Sequence, residues 1–228
     1  MRKTIGFLAW TAMTTTLFAA SPEEVNKRLD EAATVFSEII AAPDKGIPQD
    51  LLEKAHCAVI VPGLKKGAFI VGAQYGRGFV TCRASGGAGW SAPAAIRVEG
   101  GSLGFQIGGS ETDVVMLVMN DRGAQKLMES QFTLGSEGEV AAGPVGRNAT
   151  AETDAKFQAE ILSWSRTRGV FAGISLKGAT LRNDNDDNEA LYGKKMDTRE
   201  VINGKVAPNA AGGRLISLLS KYSFREQR

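Results

Sequence analysis

The chain has 228 residues, of which 43% are hydrophobic and 23% charged. That mixture excludes a wholly disordered chain, and the length suits one domain that buries a core without metals. With 27 basic against 25 acidic residues, the formal charge of +2 excludes a strong positive field for bulk binding to nucleic acid.

Residues 1–20 stand apart. Arg2 and Lys3 precede an uncharged, mostly apolar run from Thr4 to Phe18, closed by Ala19 and Ala20. This is the layout of a secretory signal peptide, and the run is too short for a good membrane span. Export is therefore expected, to the periplasm or the exterior, with peripheral membrane association. Cleavage takes two of the 27 basic residues, Arg2 and Lys3, and leaves a count equal to the 25 acidic ones. Attraction to an anionic partner then needs a local patch. Residues 21–228 are read as a single domain with a core over about 51–193 and flanking helices over 21–42 and 210–222.

The first helix announces itself. Ser21 caps, Pro22 suits the first turn and Glu24 completes a capping box. Val25, Leu29, Ala32, Ala33, Phe36, Ile39 and Ile40 share one stripe, and Pro43 stops it. The opposite face mixes charges, so the helix is expected to pack on the core rather than lie on a membrane. A short helix follows over Gln49 to His56.

Strand patterns then dominate. Cys57 to Val61 is apolar. Ala68 to Gln74 and Gly78 to Arg83 read as two strands turning at Tyr75-Gly76-Arg77, where glycine supplies a tight hairpin. Further strands are read over Ala94 to Glu99, Leu103 to Ile107, Asp113 to Met119, Phe132 to Leu134, Glu139 to Ala142, Gln158 to Arg166, Val170 to Leu176 and Ala179 to Arg182. A short helix near Arg122 to Glu129 interrupts them. A last helix, Ala210 to Tyr222, carries Leu215, Leu218, Leu219 and Tyr222 on one face. The class is α+β: a rolled antiparallel sheet, sandwich or barrel-like core with terminal helices.

Catalytic and cofactor motifs fail on inspection. Gly87 to Ala92 superficially fits a dinucleotide fingerprint, but Pro93 and a strand follow where a helix must start. The acidic run from Asp184 to Glu189 lacks the glycine and the distal carboxylate of a calcium loop, and reads as a solvated turn capping a short helix. His56 is the sole histidine, Ser91 lies outside G-x-S-x-G, and no C-x-x-C pair exists. No enzymatic activity, metal or cofactor is expected. Cys57 and Cys82 sit in or beside strand-like runs. They form either a disulfide, contributing about 3–4 kcal/mol through chain entropy, or two buried thiols.

Basic residues remain. Lys65 and Lys66 are read in a turn, Arg166 and Arg168 flank another, and Lys177 lies near them in sequence. Lys221 and Arg225 lie on or after the last helix, with Arg214 and Arg228 in the same stretch. Each such cation near an anionic membrane contributes about 1 kcal/mol.

A series of unusual strings then falls in a particular order. They are Val61-Pro62, Lys66-Gly67-Ala68-Phe69, Tyr75-Gly76-Arg77-Gly78, Gly89-Trp90-Ser91-Ala92-Pro93, Gly104-Phe105-Gln106-Ile107-Gly108 and Thr112-Asp113-Val114-Val115. Ala142 to Arg147, Ser163-Trp164-Ser165-Arg166, Arg168 to Gly173 and Tyr192-Gly193 continue it. Over Leu51 to Gly193 the chain resembles the SYLF domain, a family of lipid-binding modules of bacteria and eukaryotes, and its secretory start reads as a secreted bacterial member. The resemblance implies membrane-surface binding, with phosphoinositide binding in eukaryotic members and actin binding in some. An exported protein meets neither readily, which leaves anionic phospholipid as the natural partner. The alternative reading is an exported structural or protein-interaction protein.

Overall fold

The computed structural model describes residues 21–43, 45–68, 71–84, 89–103, 108–135, 140–142, 160–167, 169–171 and 176–223. The signal-peptide reading, Arg168 and Arg225 therefore lie outside the described residues.

Helix α1 (Pro22–Ala41) begins with the capping box expected of Ser21 and Glu24. Short α2 (Gln49–Lys54) leads into β1 (Cys57–Ala68), which pairs with β2 (Val71–Cys82) and β4 (Gly108–Val118). Next to β2 is β3 (Ala94–Leu103). After β4 come α3 (Asp121–Leu127), β5 (Gln131–Thr133), β6 (Val140–Ala142), β7 (Ile161–Thr167), β8 (Val170–Phe171) and β9 (Thr180–Asn183). Helices α4 (Asn185–Tyr192), α5 (Thr198–Asn203) and α6 (Ala210–Tyr222) close the chain.

All the described strands join one sheet in the order β5-β9-β3-β2-β1-β4-β7-β6, with β8 on β7. Every ladder is antiparallel except β6 with β7. The sheet is rolled. Lys126 of α3 reaches Glu160, just before β7, at 3.3 Å and also lies 5.4 Å from the Phe132 ring of β5. Those strands stand near opposite ends of the order, with five others between them. No ladder joins the two edges among the described residues, so the roll is open.

Period-two alternation gives the sheet two buried faces. Ala58, Ile60, Phe79, Val115, Leu117 and Trp164 pack beneath Leu29, Phe36 and Ile39 of α1 and Leu215 and Leu219 of α6. Val59, Val61, Val80, Val98, Met116 and Leu181 point into the roll with Phe132 and Leu134. Each fully buried large apolar side chain contributes about 1.5–3 kcal/mol.

Several expectations change. Tyr75-Gly76-Arg77 is not a hairpin tip, because β2 runs through it and the chain reverses between Ala68 and Val71. Gly76 and Gly78 are needed for close approach. A Cβ on Gly76 would sit 2.8 Å from Leu64 Cδ1, and one on Gly78 only 2.2 Å from the Ile60 carbonyl oxygen. Lys65 and Lys66 lie in strand β1, not in a turn, because a bulge at Pro62-Gly63, with Gly63 at φ +57°, lets the strand continue. Ala94 to Leu103 is one long strand. Of the strand read over Gln158 to Arg166, Ile161–Thr167 forms β7, and residues 158–159 lie outside the described residues. The acidic run does cap a helix, α4, and Asp186 and Glu189 are exposed as expected, but Asp184 and Asp187 are buried and ion-paired rather than solvated.

Candidate functional site

The sequence-predicted cations fall into three places. Lys65 and Lys66 follow each other on β1 and so face opposite sides. Lys65 stands across from Tyr75 on one side and Glu111 on the other. This row belongs to the helix-facing side, since Arg77, two residues on from Tyr75, bonds to α4. Lys66 stands across from Gln74 and Ser110 on the inner side. Gln74 in turn faces Gly100 on β3. A Cβ on Gly100 would meet the Gly178 carbonyl oxygen at 3.1 Å, which brings the turn carrying exposed Lys177 to the same end of the roll. Lys65, Lys66 and Lys177 therefore share one end of the sheet. Loss of water around Lys66 holds its ammonium below its ordinary pKa.

Arg166 is elsewhere engaged. It donates to Asp113 at 3.0 Å and to Glu38, and Asp113 also accepts from the Gly63 N–H at 3.0 Å. The side chain of Arg166 is 15% exposed and fastens α1 to β7, β4 and the bulge. Lys221 lies on α6, 5.2 Å from the Tyr222 ring. The Ser223 carbonyl after α6 accepts from Arg83 at 2.9 Å, at the Cys57–Cys82 end of the hairpin. Lys65 is eight residues along β1 from Cys57, a distance of about 25 Å at the usual strand rise. Lys221 is thus not brought together with the three lysines.

The far end is also plain on its helix-facing side. Gly109, Gly67, Ala73 and Gly101 stand in one register row across β4, β1, β2 and β3, all exposed. Beside that row are Tyr75, 44% exposed, and the Arg97–Glu99–Arg182 group, with contacts of 2.9 and 3.4 Å.

Two clusters escaped the sequence reading. Asp187, 1% exposed, bonds Arg28 of α1 at 2.5 Å and Arg77 of β2 at 3.1 Å, while Asp184 lies 3.5 Å from Arg77. Burial, reinforced by Asp184, pushes the Asp187 carboxyl above its ordinary pKa, against the pull of Arg28 and Arg77. Asn188 accepts from the Ala95 N–H at 2.7 Å and donates to the Met196 carbonyl at 3.1 Å, riveting α4 to β3. The second is Gln74, 3% exposed, whose amide nitrogen and oxygen both lack hydrogen-bond partners. The partners of Asp187 are remote in sequence, and the surroundings of Gln74 are set by the strand register, so no local signal marked either.

Other candidates make local contacts. Cys57 and Cys82 form a disulfide between directly opposed residues of β1 and β2. The Ser91 hydroxyl accepts from the Cys82 N–H at 3.1 Å and donates to the Ala92 carbonyl at 3.1 Å. His56 pairs with exposed Asp121 at 2.9 Å. Trp90 donates to Ser223 at 3.0 Å under the Arg83 guanidinium, and the chain after it enters β3, not a helix.

Residues 99–222 match the family described as Ysc84, Las17-binding protein actin regulator. The chain belongs to the Ysc84, or SYLF, family. It is 32% identical over 217 residues to the SH3 domain-containing YSC84-like protein 1 of Xenopus laevis, covering 90% of this chain and 64% of that protein. It is 36% identical over 185 residues to an SH3 domain-containing protein of Schizosaccharomyces pombe, covering 80% of this chain and 43% of the relative. LAS seventeen-binding protein 3 of Saccharomyces cerevisiae is 28% identical over 211 residues, covering 89% and 46%. The chain thus spans between 43% and 64% of these Ysc84 relatives.

Proposed function

We propose that this member of the family is a non-enzymatic module that binds anionic phospholipid surfaces at the end of the sheet bearing Lys65, Lys66 and Lys177. The observation that carries the reading is their convergence on β1 and on the turn before β9, beside a bare row of small residues. Cations around the rim of one open end can reach headgroups together, and each contributes about 1 kcal/mol near an anionic surface. Arg166 is spent on Asp113 and Glu38 and drops out of the binding set. Lys221 sits too far away to join the same contact. The proposed setting is outside the cytoplasm, at the periplasmic or outer face of a membrane, as the charge pattern of residues 1–20 suggests.

Co-sedimentation tests this. Protein lacking residues 1–20 is expected to bind phosphatidylglycerol vesicles and to release as salt rises, because surface charge is screened. Lys65→Glu with Lys66→Glu should weaken binding about tenfold or more, while Lys221→Glu should change it little. Equal retention on neutral and anionic vesicles at every salt concentration defeats the reading.

A second reading, a protein-interaction module, is favoured by the family's description as Las17-binding and by the name of its Saccharomyces cerevisiae relative. The exposed glycine row would then be the docking face for a protein partner. A stable complex or oligomer by light scattering, with no affinity for vesicles, decides for it.

A further inference from the structure

Gln74 is the oddest side chain in the protein. It lies on the inner face of the roll, two residue pairs from the last pair of the β1–β2 ladder, and both its amide nitrogen and its amide oxygen are buried without a partner. A buried amide left in this state costs about 1–3 kcal/mol or more, so nearly all such groups in folded proteins are satisfied. Its neighbours explain how it is accommodated but not why. Gly100 opposes it, and a Cβ there would lie 3.2 Å from Gln74 Nε2 and 2.9 Å from Ala179 Cα, so that glycine leaves the amide its room. On the other side stands Lys66, half-buried, with exposed Ser110 beyond it at the open end.

We propose that Gln74 and Lys66 form a seat, just inside the open end of the roll, for a hydroxylated phosphate ester. The phosphate oxygens take the Gln74 Nε2–H and the Lys66 ammonium, and a hydroxyl of the same group donates to Gln74 Oε1. An amide with both ends unpaired calls for a guest that both accepts and donates, and a bare phosphate diester only accepts. The flexible stem of Lys66 is what yields to admit it. Leucine or methionine would fill the position of Gln74 at lower cost, so an amide retained at a loss of stability points to a ligand. This seat deepens the lipid-surface reading and rests on it. The outer lysines supply attraction to charge, and the seat supplies discrimination between headgroups.

The test compares vesicles of phosphatidylglycerol with vesicles of phosphatidylmethanol, which carry the same charge without the hydroxyls. Wild type is expected to prefer phosphatidylglycerol by about three- to tenfold, the scale of one or two good hydrogen bonds. Gln74→Met should abolish the preference, keep the salt-sensitive binding common to both lipids, and melt at the same temperature as wild type or higher. Equal binding of wild type to both lipids, with no rise in melting temperature from glycerol 3-phosphate, overturns the seat while leaving the surface reading intact. So does a preference that survives in Gln74→Met. Binding to neither vesicle overturns both. Glycerol 3-phosphate in solution separates the sources of the ester. If it raises the melting temperature of wild type but not of Gln74→Met while the vesicles show no preference, the soluble ester is the ligand and the lipid source is overturned.

Discussion

Arg166 and Lys65 carry the same formal charge on either side of β4, and their surroundings give them different work. Arg166 holds Asp113 and Glu38 and is largely covered; Lys65 is exposed beside Tyr75. Removing one partner of a covered pair strands the others, whereas an exposed lysine costs little to lose. Arg166→Met should therefore lower stability by about 1–3 kcal/mol in urea melts and leave vesicle binding unchanged. Lys65→Met should do the reverse, with stability within about 0.5 kcal/mol of wild type. Charge and spacing alone grouped these two residues; only the folded neighbours of each separate them. The acids of α4 were misjudged for a like reason, since their partners Arg28 and Arg77 lie 159 and 110 residues from Asp187. The Asp187 carboxyl is raised above its ordinary 3.8, so its contribution to stability is full below that value and is lost as pH rises through the folded value. Compared with Asp187→Asn, which cannot titrate, wild type should gain relative stability as pH falls through the raised folded value towards about 4, and level off below it. Urea melts between pH 3 and 7 check this, and the opposite slope would mean that Arg28 and Arg77 dominate.

At the scale of elements, the helices were legible because their signals are local. The capping box of α1 and its apolar stripe, and the leucine face of α6, need no knowledge of a partner. The strands were legible in number and face but not in extent. A Gly-x-Gly in β2 reads as a turn when the strand is considered alone, and only the ladder to β1 shows that Gly78 lies flat against the Ile60 carbonyl. The same ladder makes a sharp contrast between glycines. Gly78→Ala would place a Cβ 2.2 Å from backbone, which cannot yield without parting β1 from β2. Gly67→Ala on the exposed row meets nothing within 4 Å. The first is expected to cost more than about 3 kcal/mol or to prevent folding, and the second to be neutral or stabilising by a few tenths of a kcal/mol. Equal melting temperatures for the two variants would contradict the strand register.

At the scale of the molecule, the two ends of the β1–β2 hairpin do separate jobs. One end carries the disulfide, Trp90 and the last turn of α6; the other carries the lysines and Gln74. The sequence placed both cysteines beside strands and left their bonding open, because only the register, Cys57 directly across from Cys82, brings them together. The bridge closes a loop of sequence separation 25 and should contribute about 3–4 kcal/mol through the unfolded chain. For a domain of this size that corresponds to about 10 °C in melting temperature. The lysine end is about 25 Å distant along β1 and keeps its own ladders to β2, β3 and β4 when the bridge is cut. Reduction, or Cys57→Ser with Cys82→Ser, is therefore expected to lower the melting temperature by that amount. Vesicle binding measured well below the new midpoint should stay within about twofold of wild type. A large loss of binding in a variant that is still folded would mean that the two ends are coupled through the sheet.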